Sequence, residues 1–212
     1  MPYHHGNLRQ SLEDAAIHLI AQVGPAGFTL REVARQAGVS HNAPYRHFRS
    51  KEELLAAVGA KGFRELRSAM LAASEASPNA LERLFSAGTA YVAFALSQPE
   101  HFSVMFDAPL SKEEHSDYGG AAQEAFQALF DLIATCQRDS LLPPGETLRR
   151  ALVAWSLVHG ISKLAVSGQL PFASRSEILA FAEQTIRSSA ALLSTTVSAA
   201  SSPTRPAGLS RC

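Results

Sequence analysis

The stretch from Gly27 to Leu54, GFTLREVARQAGVSHNAPYRHFRSKEEL, constrains this chain more than any other. Thr29 stands before an apolar-periodic run, and Glu32 follows three residues on. At that spacing each side chain satisfies the other's orphan amide in a capping box. Phe28 before the cap and Val33 at the fourth position fit a hydrophobic staple. Leu30, Val33, Ala34 and Ala37 give the helix a buried face. Gly38 stops it, where a left-handed backbone is cheap only for glycine. Ser40 then caps a further helix running to about Phe48, with Val39 tucked beneath the turn. Pro44, at the fourth position of that helix, lacks the amide that would bond back to the cap. The helix is therefore expected to begin loosely, or to begin at Ala43. Ser50 and Glu53 repeat the capping box and open a long helix over 51–74 through Leu54, Leu55, Val58, Phe63, Leu66 and Met70.

Two short helices meeting at a glycine turn, followed by a capped third, have the layout of a helix-turn-helix DNA reader. In such a unit the second helix lies in the major groove and the first braces it across the backbone. Ser40, His41, Asn42 and Ala43 are small or polar. Asn42 can pair with an adenine edge, His41 can bond a guanine, and Ala43 can meet a thymine methyl. Tyr45, Arg46 and His47 follow, and a phenol and an imidazole at that end suit phosphate oxygens. Lys51 lies in the first turn of the next helix, whose free amides and dipole already attract an anion. Thr29 is a similar phosphate ligand at the preceding helix start. Only residues 40–43 and Arg46 can carry sequence information; the rest position the unit. Phe48, Val33 and Val39 read as plain core.

The charge distribution agrees. Net charge is zero, but residues 1–51 carry six Lys/Arg against three Asp/Glu, and residues 76–198 carry eight against twelve. The N-terminal end can approach phosphate while the rest is mildly repelled.

Upstream, Leu8, Leu12, Ala15, Ala16, Leu19, Ile20 and Val23 form one helical stripe over 8–23, with Asn7 as cap and Gly24-Pro25 as stop. Downstream, EASPN at 75–79 is a break and the expected domain boundary. Helices are expected at 79–97, 99–107, 117–140, 146–168 and 174–197, separated by proline and glycine signals. Nothing alternates with period two, so no strand is assigned. The expected fold class is all-α. A three-helix DNA-binding domain spans 1–54, with 51–74 as its linking helix. A larger ligand-binding and dimerisation domain spans 75–197. Residues 198–212, rich in Ser, Pro and Ala, read as a disordered tail. No apolar run reaches the ~18 residues of a membrane span. The first residues lack the apolar stretch of a signal peptide. A cytoplasmic location is expected. Cys136 and Cys212 are too few for a disulfide framework and read as a buried small hydrophobe and a free tail thiol.

Three segments carry a family resemblance: FTLREVA at 28–34, AGVS at 37–40, and YRHFRSKEEL at 45–54. Residues 8–54, about a quarter of the chain, resemble the DNA-binding domain of TetR-family transcriptional regulators. Trp155-Ser156-Leu157-Val158-His159-Gly160 resembles the W-x-x-x-H-G signature of one subgroup in that family's C-terminal domain. Tyr3 to Leu8, and Pro99-Glu100-His101-Phe102 to Met105-Phe106, are similar to the same subgroup. The resemblance implies about nine helices and a two-fold dimer whose last two long helices form a four-helix bundle with the partner. It also implies a pseudo-palindromic operator, repression, and release by a small molecule. By position, Thr29, Tyr45, His47 and Lys51 match the family's phosphate contacts, and residues 40–43 its base readers. Pro44 departs from the commonest family pattern and leaves the start of the reading helix open.

Eight of the eleven Phe residues follow residue 80, joined by Tyr91, Met105 and Trp155. A ligand pocket between helices is apolar with a few polar groups. The candidates for its wall are Phe94, Phe102, Met105, Phe106, Phe126, Phe130, Trp155 and His159; each also fits plain core. His159, one turn after Trp155, is a candidate polar anchor or a packed interface histidine. Gly160 reads as a close helix–helix approach. Residues 148–166 are apolar nearly all round, so that helix must be buried on more than one side. Ser174 and Glu177 open the last helix, whose stripe of Ile178, Leu179, Ala182, Ile186, Ala190 and Leu193 suits the same seam. A homodimer through 146–168 and 174–197 follows.

The reading is a ligand-responsive homodimeric regulator, a repressor released from a palindromic operator by a small apolar effector, with no membrane partner. The alternative is an all-α small-molecule binding module without a DNA role. No enzyme is expected: the chain has no paired carboxylates, phosphate loop or nucleophile–base constellation beyond the co-occurrence of Cys136 and His159. No cofactor or metal is expected either, since His4, His5, His41 and His47 lack a carboxylate or Cys at ligand spacing.

Overall fold

A computed structural model of the chain describes residues 8–195. The Asn7 cap, the motif over 3–7, His4, His5, Cys212 and the expected tail over 198–212 lie outside the described residues. Among the described residues every regular element is helical. The architecture is a helix-turn-helix domain followed by a larger helical domain.

Helix α1 (Leu8–Val23) buries the expected stripe of Leu12, Ala15, Ala16, Leu19 and Ile20. The capping box of α2 (Leu30–Gln36) is closed: the Glu32 amide donates to Thr29 Oγ1 at 3.3 Å and the Thr29 amide to Glu32 Oε2 at 2.8 Å. Gly38, with φ of +68°, turns the chain so that the Val39 amide reaches back to the Ala34 carbonyl. Helix α3 (Lys51–Glu75) starts at Ser50, whose hydroxyl accepts from the Glu53 amide at 3.2 Å. The Glu53 carboxylate accepts from the Arg49 amide at 2.7 Å, one residue beyond the partner that the expected second box requires. Then follow α4 (Ala80–Ser97), α5 (Pro99–Asp107), α6 (Ser116–Arg138), α7 (Thr147–Val166), α8 (Arg175–Ser188) and α9 (Ala190–Ser194).

Two expected helices are corrected. No helix runs from Ser40 to Phe48; that segment contains a single 3-10 turn, Pro44–Arg46. A proline at position 44 cannot donate to the Ser40 carbonyl, which the Ala43 amide takes instead at 2.9 Å. The amides of Arg46 and His47 likewise bond three residues back. The expected helix over 174–197 is broken at Ser189. The Ser189 hydroxyl takes the Ile186 carbonyl at 2.7 Å, a local bond that competes with the helix ladder. The part of that helix beyond residue 195 lies outside the described residues.

Helix α3 passes through two cores. Its first turns place Leu54, Leu55 and Val58 among Leu12, Leu19, Val33 and Phe48 of the small domain. Its later turns place Phe63, Leu66 and Met70 among Phe85, Tyr91 and Phe102 of the large one. Helix α5 does the same with Val104 on one side and Phe102 and Met105 on the other. Each fully buried Leu, Val or Phe contributes about 1.5–3 kcal/mol, so neither core can shift alone without loss. The contact between α3 and α5 depends on Gly62, where a Cβ would lie 2.6 Å from the Met105 sulfur.

Within the protomer Gly160 meets no neighbouring helix, because a Cβ there would find nothing within 4 Å. The close approach is at Gly88 of α4, where a Cβ would lie 3.3 Å from Ile186 and 3.4 Å from Val158. That contact draws α8 onto its own protomer and buries Ala182 and Ile186. In the first turn of α7, Arg150 is 1 % exposed. Its Nε donates to the Leu193 carbonyl at 2.7 Å and its Nη1 to the Gly145 carbonyl, tying α9 and the loop before α7 together.

Candidate functional site

The first candidate surface is the turn after α2. Ser40, His41, Asn42, Tyr45 and Arg46 are exposed, Ala43 and His47 are half-buried, and Pro44 and Phe48 are buried beneath them. Pro44 therefore anchors the segment from below while the polar side chains stand outward. Tyr45, at 51 % exposure, is among the most exposed large apolar side chains of the chain.

The flanking phosphate candidates are engaged within the fold. Thr29 Oγ1 donates to Glu32 Oε2 at 2.9 Å while accepting from the Glu32 amide. Lys51 Nζ donates to the Ala26 carbonyl at 2.8 Å and lies 4.7 Å from the centre of the Phe28 ring. An ammonium has three donors, so Lys51 retains two for an anion. The hydrogen bonds from Thr29, aided by Arg35 and Lys51, hold the Glu32 carboxyl below the usual carboxylate range. A carboxylate thus stands beside both flanking candidates and opposes a phosphate there.

The second candidate is a cavity of about 710 Å³ in the large domain. Phe63 and Met70 of α3, Phe85 of α4, Leu129 of α6 and Leu193 of α9 are in its wall. Of the aromatic and sulfur candidates, Met105, Phe106, Phe126 and Trp155 line it. Phe94 and Phe102 are instead buried in the main core. Phe130 packs against the cluster formed by the start of α4, the end of α6 and α7. His159 stands behind the wall and reaches it through Tyr91, which the sequence offers only as one aromatic among several. The Trp155 indole N–H donates to the Tyr91 hydroxyl at 3.3 Å, and that hydroxyl lies 2.9 Å from His159 Nδ1. Burial pushes the Tyr91 phenol up, against a smaller opposing effect of the Trp155 hydrogen bond. Burial, and then the nearby Lys163, hold His159 below the ordinary imidazole value. Cys136, pushed up to about 11 by burial, packs near Leu84 and Leu193 as an unreactive thiol.

A third surface runs along α7. Leu148, Leu152, Ser156 and Leu164 are exposed, and Gly160 shares their spacing of four. They form one ridge, with Leu148 at 55 % and Leu164 at 48 % exposure. Leu148, Leu152 and Leu164 are apolar side chains left exposed on this face of the protomer.

Comparison with known proteins places these surfaces in a family. Residues 12–58 match the bacterial regulatory proteins of the tetR family, and residues 84–189 match the tetracyclin repressor-like C-terminal domain. The second match alone covers half of the chain. The chain belongs to the TetR family. Its members are transcriptional regulators with an N-terminal helix-turn-helix, and Thr29 to Lys51 fall inside the matched DNA-binding part.

This TetR-family chain is 38% identical over 76 residues to the HTH-type transcriptional regulator BetI of Rhizobium meliloti (strain 1021). That match spans 36% of this chain and 37% of the relative, about a third of each. A solved protein of unknown function from Rhodococcus sp. RHA1 is 34% identical, with a TM-score of 0.77 over 92% of this chain and all of that one. The structure of AibR in complex with isovaleryl coenzyme A and operator DNA shares the fold at 18% identity. Its TM-score is 0.67 over 88% of this chain and 97% of that one.

Proposed function

We propose that the chain is a homodimeric transcriptional repressor that reads a palindromic operator and leaves it when a small apolar molecule fills the cavity. Residues 1–54 read DNA, α3 links, and residues 75–197 hold the effector and the dimer seam. The observation that carries this reading is the double membership of α3. One helix is built into the core beneath the reading turn and also forms the cavity wall with Phe63, Leu66 and Met70.

In this reading Asn42, His41, Ser40 and Ala43, with Arg46, meet base edges, while Thr29, Tyr45, His47 and Lys51 meet phosphates. The ridge of Leu148, Leu152 and Leu164 supports a two-fold partner, since apolar side chains at that exposure gain by association. A symmetric pair of reading turns requires an operator with matching symmetry. The effector shifts the balance between two spacings of the turns, by as much as it prefers one of them. The solved relative holding both isovaleryl coenzyme A and operator DNA supports a small-molecule effector. No helix among the described residues is long and apolar enough to cross a membrane, compatible with a cytoplasmic regulator.

A mobility-shift titration with the duplex upstream of the chain's own gene tests the reading. One retarded complex holding two protein chains per duplex is expected. Absence of any complex at low salt contradicts it.

A further inference from the structure

The cavity's hydrogen-bonding inventory is one-sided. The charged residues in its wall, Lys112 and Glu113, are both exposed and belong to the connection between α5 and α6. Ser116 and Gln123, also in the wall, are exposed as well. All four sit where the cavity meets solvent. The polar wall residues away from that rim are Tyr91, Trp155 and Ser189. An ionised group held there would be buried without a counter-charge, which is strongly unfavourable.

The donors of those three residues are already used. The Trp155 indole can only donate, and it donates to the Tyr91 oxygen. The Ser189 hydroxyl donates to the Ile186 carbonyl. The proton between Tyr91 and His159 belongs to Tyr91 when the imidazole is neutral and carries its hydrogen on Nε2, the favoured neutral tautomer. Burial of His159 favours the neutral ring. The Tyr91 hydroxyl then donates to Nδ1. What remains for a guest is acceptor capacity: a lone pair on Tyr91 Oη and one on Ser189 Oγ.

We infer that the cavity selects an uncharged, largely apolar molecule bearing a hydrogen-bond donor, an alcohol or phenol, whose hydroxyl donates to Tyr91 Oη. Carbonyl compounds, ethers and carboxylates offer the wall only acceptors, and a guest oxygen facing another lone pair stays unpaired. The inference rests on the effector reading of the cavity and narrows it to one ligand class.

The test uses three probes on the same skeleton: 4-octylphenol, its methyl ether 4-octylanisole, and 4-octylbenzoate. Trp155 is the sole tryptophan of the chain and stands in the wall, so its emission reports binding directly. The phenol is expected to bind roughly tenfold more tightly than the ether, and the benzoate more weakly than both. In Tyr91→Phe the phenol is expected to fall to the ether's affinity, with the ether unchanged. If that variant does not fold, the order of the three probes on the native chain decides alone. An ether that equals or exceeds the phenol overturns the inference. So does a benzoate that binds most tightly, a set of probes that leaves Trp155 unperturbed, or a folded Tyr91→Phe variant that keeps the preference. Retention of bound duplex is scored separately. A phenol that binds with the expected preference and leaves the DNA complex intact sinks the effector reading and not the ligand class. Release of DNA by phenol and ether alike does the reverse.

Discussion

The Tyr91 hydroxyl lies 2.9 Å from Nδ1 of His159, 68 residues further along the chain. The bond joins α4 to α7 at the cavity wall, with Trp155 feeding into it from one turn before His159. Protonating His159 would reverse the bond, with Nδ1–H donating to the Tyr91 oxygen, and would place a charge on a ring that burial holds neutral.

Acid should therefore weaken the fold in a defined window. Burial first, and Lys163 second, depress His159; burial depresses His101, whose neighbours are Glu65, Lys61, Glu100 and Asp14. Unfolded, both rings take a proton near pH 6.5; folded, they do so only at lower pH. Just below that pH the unfolded chain binds more protons, so stability rises with pH there. It is complete above about 6.5 and falls as the pH drops toward the folded values. Melting temperatures between pH 7.5 and 5.5 should decline, and the doubly substituted His101→Asn/His159→Asn chain should decline less. A native chain with a flat profile contradicts this. The depressed carboxyls of Glu32, Glu52 and Glu82 act separately, below pH 4.5.

Lys51 and Asn42 should fail in different ways. Lys51→Ala is expected to weaken binding to every duplex alike and to lower the salt slope by about 1 per site. Asn42→Ala is expected to leave the slope unchanged and relax preference at one base position of each half-site. Anisotropy titrations across a range of NaCl concentrations read both. An unchanged slope in Lys51→Ala would show that its ammonium stays with the Ala26 carbonyl when DNA is bound.

Dimerisation can be separated from folding on the α7 ridge. A side chain at position 160 meets open space in the protomer, and leucine favours helix over glycine by roughly 0.5–1 kcal/mol. Gly160→Leu should therefore keep or raise helicity while lowering the dimer fraction in sedimentation equilibrium. Leu164→Glu should also shift the chain toward monomer with an unchanged circular dichroism spectrum. Variants that remain fully dimeric would move the seam off this ridge.

Arg150→Met should be destabilising by about 1–3 kcal/mol in urea titrations. The change leaves the buried Leu193 carbonyl without its donor, while the exposed Gly145 carbonyl keeps the Gln137 side-chain amide. Loss of amide protection should be greatest over α9. A variant as stable as the native chain would mean that the guanidinium's own desolvation, with Nη2 unpartnered, offsets those bonds.

Helix starts were legible because their signals are local. Thr29 with Glu32 and Ser174 with Glu177 each settle one boundary within four residues. The reading segment was half legible. Ser40 looks like a cap, but Pro44 removes the amide that would make it one, and only the packing of Pro44 decides that a short 3-10 turn results. The Ser189 break has no glycine or proline to announce it. The cavity wall was legible in kind and not in membership. Periodicity marks Phe94, Phe102 and Phe106 as apolar, but which of them meets space depends on how far α4 and α5 approach α3. Tyr91 escaped because its partners come from a helix that no local pattern connects with its own.

Selection of duplexes from a random pool by the purified chain tests the central claim most directly. The account predicts enrichment of an inverted repeat whose half-site centres lie one helical turn apart, ~34 Å, or a multiple of it. A recovered pool with no shared motif, or with one unpaired half-site, would contradict it.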